Sequence, residues 1–172
     1  MAPFDEPLKS ERILRELQRR DTAKETLDVQ EEQVKVVIFT SGRNRYAFYG
    51  RDIKEILPPC PISWVPGLPD YLPGLINVRG DIESVVDIRH FLGEEKTGSG
   101  DCLIALTGRV DFRSGVLIDT VEDVVDIPLS AIKPPLSTLG GAVGDMAIGE
   151  LEHGGKAATL LDIGKLAAKI SL

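Results

Sequence analysis

The residues with the most potential for chemistry are two histidines and two cysteines. His90 and His153 lie far apart in the chain, and Cys60 and Cys102 lack the Cys-x-x-Cys spacing of a redox or zinc motif. A structural zinc ion needs three or four ligands, and a catalytic histidine needs a group that orients it. Because neither pattern surrounds these residues, the sequence predicts no metal and no cofactor. His90 is then a structural residue, and His153 lies at a hairpin tip.

A second candidate is a short run of carboxylates. Asp81, Glu83 and Asp87 have the same parity, so in a strand their side chains share one face. That face has two interpretations: an acidic pair or weak divalent-cation site, and a solvent-exposed strand face. We expect the exposed face, because charged side chains are mostly found at the surface.

The sequence shows no recognised nucleophile or phosphate-binding motif. Ser41-Gly42 and Ser114-Gly115 are turn dipeptides and lack the Gly-x-Ser-x-Gly spacing of a nucleophile elbow. The stretch 140–144 is rich in glycine but precedes no clear helix, which a phosphate cradle requires. We therefore expect that the chain is not an enzyme. The alternative, a small-molecule-binding or hydrolytic β-barrel, would need a polar pocket with perturbed acids.

Composition narrows the class of partner. The 172 residues carry a net charge of −7, with 42% hydrophobic and 27% charged residues. This acidic chain lacks the clustered lysine and arginine that neutralise nucleic-acid phosphates. It also lacks an apolar signal core and any apolar run long enough to cross a membrane. We expect a cytoplasmic protein with reduced cysteines that binds proteins or small molecules, without nucleic acid and without membrane insertion.

Short strands separated by turn residues dominate the chain after residue 32. Two runs of β-branched and aromatic residues, 34–39 and 45–49, flank a Ser-Gly-Arg-Asn turn and predict a hairpin. Residues 52–57 form a short turn or an irregular strand, and further extended segments follow at 62–65, 75–80, 82–88, 102–107, 116–119, 121–127, 147–151 and 157–161. Strands at this spacing, with little helix, predict an all-β barrel or sandwich. Asp162 is placed to cap a short C-terminal helix over 163–170.

Residues 1–32 differ from the rest of the chain because they are densely charged and contain no glycine. Ile13, Leu14 and Leu17 fall on one face of a predicted helix. This narrow apolar stripe fits a peripheral helix that rests on the domain or frays in solution, and it also fits a docking helix for a partner. We predict a charged helical extension over 1–32 and a globular domain over 33–172.

One segment resembles the central signature of the CheW family. Residues 74–89 read Gly-Leu-Ile-Asn-Val-Arg-Gly-Asp-Ile-Glu-Ser-Val-Val-Asp-Ile-Arg. The family signature is Gly-apolar-apolar-Asn-apolar-Arg-Gly, followed by a strand that ends apolar-Asp-apolar-Arg. Flanking segments agree in order, namely 46–48, 53–57, 65–71, 115–124 and 160–166. The resemblance covers residues 33–170.

The resemblance implies two intertwined SH3-like five-stranded β-barrels around one hydrophobic core, here with an N-terminal helix and a short C-terminal helix. It implies a non-catalytic chemotaxis adaptor at receptor arrays on the inner face of the membrane. Such an adaptor couples the cytoplasmic tip of a chemoreceptor to the regulatory domain of a CheA-type histidine kinase. The alternative within this fold is a scaffold for a chemosensory-type pathway that controls pili, development or second messengers.

The same resemblance implies a receptor-binding site. Arg79, Asn77 and Gly80 would lie at or beside a groove between the barrels. Ile53 and Glu55 match positions that face the receptor or support that site. An arginine suits this role, because its planar guanidinium can hold a carboxylate or helix-end carbonyls in fixed geometry. Glycine after that arginine permits a positive φ or a close backbone approach.

Arg79 also has a second interpretation, as an internal brace of the fold. Its candidate carboxylate partners are Asp81, Glu55 and Asp87. The two roles are compatible, because one guanidinium carries several donors. Two nearby positions depart from the family pattern. Ser84 stands where proline is common, and Glu83 stands where an apolar residue is common.

Overall fold

The computed structural model describes residues 13–19, 31–95 and 101–170. Residues 13–19 are helical and are labelled α1; the rest of the predicted extension, up to residue 30, lies outside the described residues. The strands are β1 (Gln33–Ser41), β2 (Asn44–Tyr49), β3 (Ile53–Leu57), β4 (Gly74–Val78), β5 (Asp81–Asp87), β6 (Leu103–Thr107), β7 (Gly115–Ile118), β8 (Thr120–Pro128), β9 (Ala147–His153) and β10 (Lys156–Leu161). The other helices are α2 (Arg89–Leu92), α3 (Gly141–Met146) and α4 (Ile163–Ile170), with 3-10 turns at Gly50–Asp52 and Leu129–Ala131.

The strands form two five-stranded sheets. The first has the order β8-β1-β2-β10-β9, and the second has the order β3-β6-β7-β5-β4. Each contains one parallel pair, β2 with β10 and β5 with β7, among antiparallel neighbours. The chain leaves the first sheet after β2, builds the whole second sheet, and returns with β8. The prediction of two intertwined SH3-like five-stranded barrels in an all-β fold is confirmed.

Buried side chains divide into three clusters because strand residues alternate between the two faces of a sheet. One cluster, with Val36 and Ile38, fills the first barrel. A second, with Ile76 and Ile104, fills the second barrel. The third takes residues from both barrels and from α2, α3 and α4, and we name it the shared core. Its buried members are Phe39, Tyr46, Phe48, Val86, Ile88, Phe91, Leu92, Ala105, Val116, Ile118, Met146, Leu161, Ile163 and Leu166.

The shared core is built on the predicted β1–β2 hairpin. Tyr46 and Phe48 alternate along β2 and both face this core. The ring of Phe48 stacks on that of Phe39 with centroids 4.6 Å apart. Offset aromatic pairs of this kind contribute to stability beyond their buried area. The hairpin is therefore a strand pair of the first barrel, and it also contributes Phe39, Tyr46 and Phe48 to the shared core.

The C-terminal helix closes the shared core, as the sequence predicted. The N–H of Gly164 donates to Oδ1 of Asp162 at 2.7 Å, which satisfies one of the unpaired donors at the start of α4. Ile163 and Leu166 are fully buried on the inner side of the helix. This short helix is held by packing, since isolated helices of its length are unstable in water.

The glycine-rich stretch 140–144, for which the sequence indicates no helix, lies largely within α3 (Gly141–Met146), and β9 follows that helix. Glycine disfavours helix by about 1 kcal/mol per residue relative to alanine, so local propensity does not indicate this element. Tertiary packing holds it, because Met146 is buried in the shared core and Val143 packs against it.

We expect Phe48→Ala to lower the free energy of unfolding by about 3–5 kcal/mol, because it removes a large side chain from a fully packed core. The loss should appear in both barrels together, since both contribute residues to the cluster. Amide hydrogen exchange resolved by residue measures this. Val124→Ala, at a position that is 49% exposed, is the control and should change stability by less than about 0.5 kcal/mol. Loss of protection confined to the first barrel would contradict a common core.

Candidate partner-docking site

The β4–β5 hairpin ends in a tight turn made by Arg79 and Gly80. Val78 pairs with Asp81, so the connection contains just these two residues. Their φ angles are 51° and 94°, the positive pair required by a type I′ turn. Glycine adopts such angles freely, whereas arginine does so at a steric cost. The turn therefore holds the backbone of Arg79 in a defined, strained conformation at an exposed tip.

The side chain of Asn77 stabilises this turn. Its side-chain Oδ1 accepts a hydrogen bond from the backbone N–H of Gly80 at 2.8 Å. Asparagine suits the position because its short amide can reach the backbone a few residues ahead. The Asn-x-Arg-Gly spacing is thus explained by turn geometry, and Asn77 acts on Arg79 through the backbone.

Arg79 and Glu55 form a two-pronged ion pair. Nη1 of Arg79 donates to Oε1 of Glu55 at 3.0 Å, and Nη2 donates to Oε2. The Arg79 side chain is 67% exposed and that of Glu55 is 34% exposed. The hydrogen bond from Arg79 lowers the pKa of Glu55, and the same contact raises the pKa of Arg79. Of the three carboxylates considered as braces, Glu55 is the one that pairs with Arg79.

This ion pair joins the two outermost strands of the second sheet. Glu55 lies on β3 and Arg79 follows β4, at opposite ends of the strand order. A backbone bridge pairs Ser63, in the segment that connects β3 to β4, with Leu75 on β4. A depression of about 190 Å³ lies at this closure, and we call it the docking groove. It is lined by Leu57, Pro58, Cys60, Asn77, Val78 and Arg79.

Ile53 lies apart from this group because β3 contains a bulge. Ile53 pairs with Thr107 and Glu55 pairs with Leu106, so Lys54 is an extra residue. A bulge of this type reverses the faces that follow it. Ile53 consequently packs against the shared core, while Glu55 pairs with Arg79 at the end of β4. The structure brings Arg79, Asn77, Gly80 and Glu55 together and places Ile53 against the shared core.

The expected solvent-exposed acidic face was wrong for two of its three members. Glu83 and Asp87 share a face as predicted, but that face is the inner one, and both residues are buried. Asp87 is paired with the buried Arg89, whose Nε and Nη2 donate to its two oxygens at 2.8 and 2.9 Å. Only Asp81 is exposed, beside the turn. The spacing of residues along a strand shows which side chains share a face, but it does not show whether that face is buried or exposed.

Sequence reasoning also missed the partners of the two positions that depart from the family pattern. Nη2 of Arg113 donates to the carboxylate of buried Glu83 at 2.7 Å. The hydroxyl of Ser84 lies 2.9 Å from that of Ser114, which is buried. Both partners precede β7, the parallel neighbour of β5. No local pattern in the sequence links β5 to the residues that precede β7. They meet because β5 and β7 are neighbours in the sheet.

Within the described ranges, no cluster of three or more histidine, cysteine or acidic side chains has the arrangement of a metal site. Among the helices of those same ranges, none is long and apolar enough to span a membrane. His153 lies at the β9–β10 hairpin tip, as predicted, with Nε2 at 2.9 Å from a carboxylate oxygen of Asp123.

Two five-stranded barrels packed around one shared core define an all-β, two-barrel class of domain. A family model described as the CheW-like domain matches residues 35–171. The chain belongs to the CheW family, and its role is that of a chemotaxis adaptor. The family resemblance inferred from residues 74–89 is thereby confirmed.

Similar proteins cover most of the chain. A chemotaxis protein CheW from Treponema pallidum (strain Nichols) is 26% identical over 143 residues, which span 80% of this chain and 84% of the relative. Protein FrzA from Myxococcus xanthus is 31% identical over 134 residues, 74% of this chain and 81% of the relative. The crystal structure of scaffolding protein TtCheW from Thermoanaerobacter tengcongensis has a TM-score of 0.69 at 24% identity, covering 76% of this chain and 90% of that one. The last comparison shows the common fold.

We expect Asn77→Ala to lower the free energy of unfolding by about 0.5–1.5 kcal/mol, because Gly80 loses the acceptor of its N–H. Urea denaturation followed by circular dichroism measures this. Asn77→Asp is the matched variant: it keeps an oxygen acceptor and should retain most of the stability. Equal losses in the two variants would contradict a role for the hydrogen bond.

We expect Arg79→Ala to raise the pKa of Glu55 toward its ordinary range. In the native protein the hydrogen bond from Arg79 lowers that pKa. The ion pair is therefore present above the Glu pKa and is lost as the pH falls through it. Carbon-13 NMR titration of the Glu55 carboxyl measures the change. Lys54→Ala is the control and should produce a smaller shift, since Lys54 contributes least to the lowered pKa. A Glu55 pKa unaffected by Arg79→Ala would refute the pair.

Proposed function

We propose that the chain couples a chemoreceptor to a CheA-type histidine kinase. It would bind the cytoplasmic tip of the receptor and the regulatory domain of the kinase, in the cytoplasm at receptor arrays on the inner face of the membrane. Membership of the CheW family supports this role. We also propose the division into a charged extension, 1–32, and an adaptor domain, 33–172.

The observation that carries the receptor-binding proposal is the braced turn beside the docking groove. The guanidinium of Arg79 is mostly exposed, while the groove next to it is lined largely by apolar atoms of Leu57, Pro58 and Val78. A receptor tip formed by a helical hairpin suits such a surface, since apolar side chains enter a groove and a charge sets the register. We assign binding to Arg79, Asn77, Gly80 and Glu55.

Ile53 has an indirect part in this site. Its side chain packs against the shared core, while the bulge at Lys54 turns Glu55 toward Arg79. Ile53 therefore anchors the start of β3 and supports the carboxylate that orients the guanidinium. This distinguishes it from the residues that would touch the receptor.

Bracing and docking are compatible in Arg79. Glu55 accepts from Nη1 and Nη2, which leaves further N–H donors of the guanidinium for a receptor carboxylate or carbonyl. The internal pair also limits the rotamers of a long side chain before it meets a partner. Binding then costs less side-chain entropy. In this scheme Glu55 positions Arg79, and Arg79 makes the contact.

Coupling requires that contact at one surface affects contact at another. The two barrels share one packed core, so the domain is suited to act as a rigid link. A receptor in a different state would present its tip differently, and the adaptor would favour a different arrangement of the kinase. This mechanism needs binding energy that differs between states and no chemical step.

A second candidate keeps the adaptor role and changes the pathway. Protein FrzA is 31% identical to this chain, while the chemotaxis protein CheW of Treponema pallidum is 26% identical. The similarity to FrzA is consistent with a chemosensory-type pathway that controls pili, development or second messengers. Capture of receptor and kinase fragments encoded in the same genome would distinguish the two candidates.

We expect Arg79→Glu to abolish binding of the cognate receptor tip while leaving the domain folded. The substitution reverses the exposed charge beside the groove and places it opposite Glu55. Calorimetric titration with a receptor-tip fragment measures binding, and circular dichroism measures folding. Arg43→Glu, an exposed position in the β1–β2 turn, makes the same change in charge and should bind normally. Wild-type affinity of Arg79→Glu would refute the assigned site.

A charge-swap variant separates docking from bracing. Glu55→Arg combined with Arg79→Glu restores an ion pair between β3 and β4 but leaves the opposite charge at the tip of the turn. We expect the double variant to recover stability without recovering binding. Recovery of binding together with stability would show that Arg79 acts on the receptor only through the fold.

A further inference from the structure

Cys60 and Cys102 line one cavity. The cavity measures about 220 Å³ and is bordered by Pro59, Cys60, Ile62, Asp101, Cys102, Ile104 and Leu117. Both cysteines are half-buried thiols, and both pack against the apolar cluster that fills the second barrel. A bond between the two sulfurs would therefore form across this one cavity.

Strand pairing explains why these distant residues meet. Leu57 at the end of β3 pairs with Ile104 near the start of β6. Cys60 follows Leu57 closely, and Cys102 immediately precedes β6, so both extend from the same end of one antiparallel ladder.

Cys60 also lines the docking groove. It shares the groove wall with Asn77 and Arg79, and it shares the neighbouring cavity with Cys102. Cys60 therefore lies between the docking groove on one side and the cavity that Cys102 lines on the other. A covalent bond that draws Cys60 toward Cys102 must alter the groove.

We propose that Cys60 and Cys102 form a reversible disulfide on exposure to a peroxide, and that this bond changes the docking groove and weakens binding of the receptor tip. The effect on binding rests on the proposed function, whereas formation of the bond does not. Intracellular disulfides of this kind are usually transient and redox-sensing, which agrees with the expectation of reduced cysteines under ordinary conditions.

The reaction needs hydrogen peroxide as oxidant. The Cys60 thiolate attacks a peroxide oxygen, the O–O bond breaks, and hydroxide leaves and is protonated, which gives a sulfenic acid and water. The Cys102 sulfur then attacks the sulfenic sulfur, the S–O bond breaks and a second water leaves. Two thiols are oxidised by two electrons in total, and one peroxide is reduced to two waters. A dithiol reverses the step by thiol–disulfide exchange.

The order of the two cysteines follows from their surroundings. Burial raises the pKa of the Cys102 thiol, and Sγ of Cys102 lies 3.8 Å from a carboxylate oxygen of Asp119 as its donor. A protonated thiol is a poor nucleophile toward peroxide. Cys60 is therefore the first to be oxidised, and Cys102 resolves the intermediate.

The test uses the full chain, treated with hydrogen peroxide or with dithiothreitol and then alkylated. Peptide mapping should find a Cys60–Cys102 linked peptide in the oxidised sample only. Nitrogen-15 NMR should show shifted amide signals of Asn77 and Gly80, and calorimetry should show several-fold weaker binding of the receptor tip. Cys102→Ser, which changes a residue outside the groove, should bind like the reduced wild type and should not respond to peroxide.

Each result decides part of the proposal. Absence of the linked peptide, with only sulfenic acid or intermolecular dimers, would overturn the disulfide. A linked peptide with unchanged Asn77 and Gly80 signals, or with unchanged binding, would overturn its effect on the groove. Failure of the reduced protein to bind any receptor tip would refute the proposed function. The peptide map and the NMR spectra would still decide whether the disulfide forms and alters the groove.

Discussion

The shared core is the constraint on which the rest of the structure depends. Because it takes residues from both barrels, most strands bury both faces, one toward their own barrel and one toward the joint. β1 shows this directly, with Ile38 in the first barrel and Phe39 in the joint. The return of the chain to the first sheet after β7 makes the two barrels a single cooperative unit. A domain of this kind can present surfaces on both barrels in a constant relative orientation.

The candidate site is a consequence of how the second barrel closes. Its two outermost strands, β3 and β4, lie at opposite ends of the strand order and are joined by the Arg79–Glu55 pair. The Ser63–Leu75 bridge ties the segment that connects these two strands to β4. The exposed pair contributes little to stability by itself, as surface ion pairs generally do. Its effect is geometric, since it orients a guanidinium whose backbone is already held by a type I′ turn. Rigidity at the turn and an apolar groove beside it are what a helical partner requires.

The buried acids show how the inner face of the barrel tolerates charge. Asp87 has Arg89 as a buried partner, and Glu83 has Arg113, whose side chain reaches solvent. Removing one member of a buried pair is costly because it leaves the other without compensation. The departure of Glu83 from the family pattern is thus accompanied by a basic partner on a neighbouring segment. The adjacent Ser84 is likewise matched by Ser114.

The sequence by itself determined the local features: the β1–β2 hairpin, the cap of α4 at Asp162 and the family to which the chain belongs. These depend on side-chain alternation, turn chemistry and a contiguous signature, which act between residues close in the chain. Only the tertiary structure decided that Arg79 pairs with Glu55, that Glu83 is buried, that Ile53 faces the core and that Cys60 and Cys102 line one cavity. Those outcomes depend on sheet order, on a bulge in β3 and on barrel closure, which bring distant segments together and which no local pattern encodes.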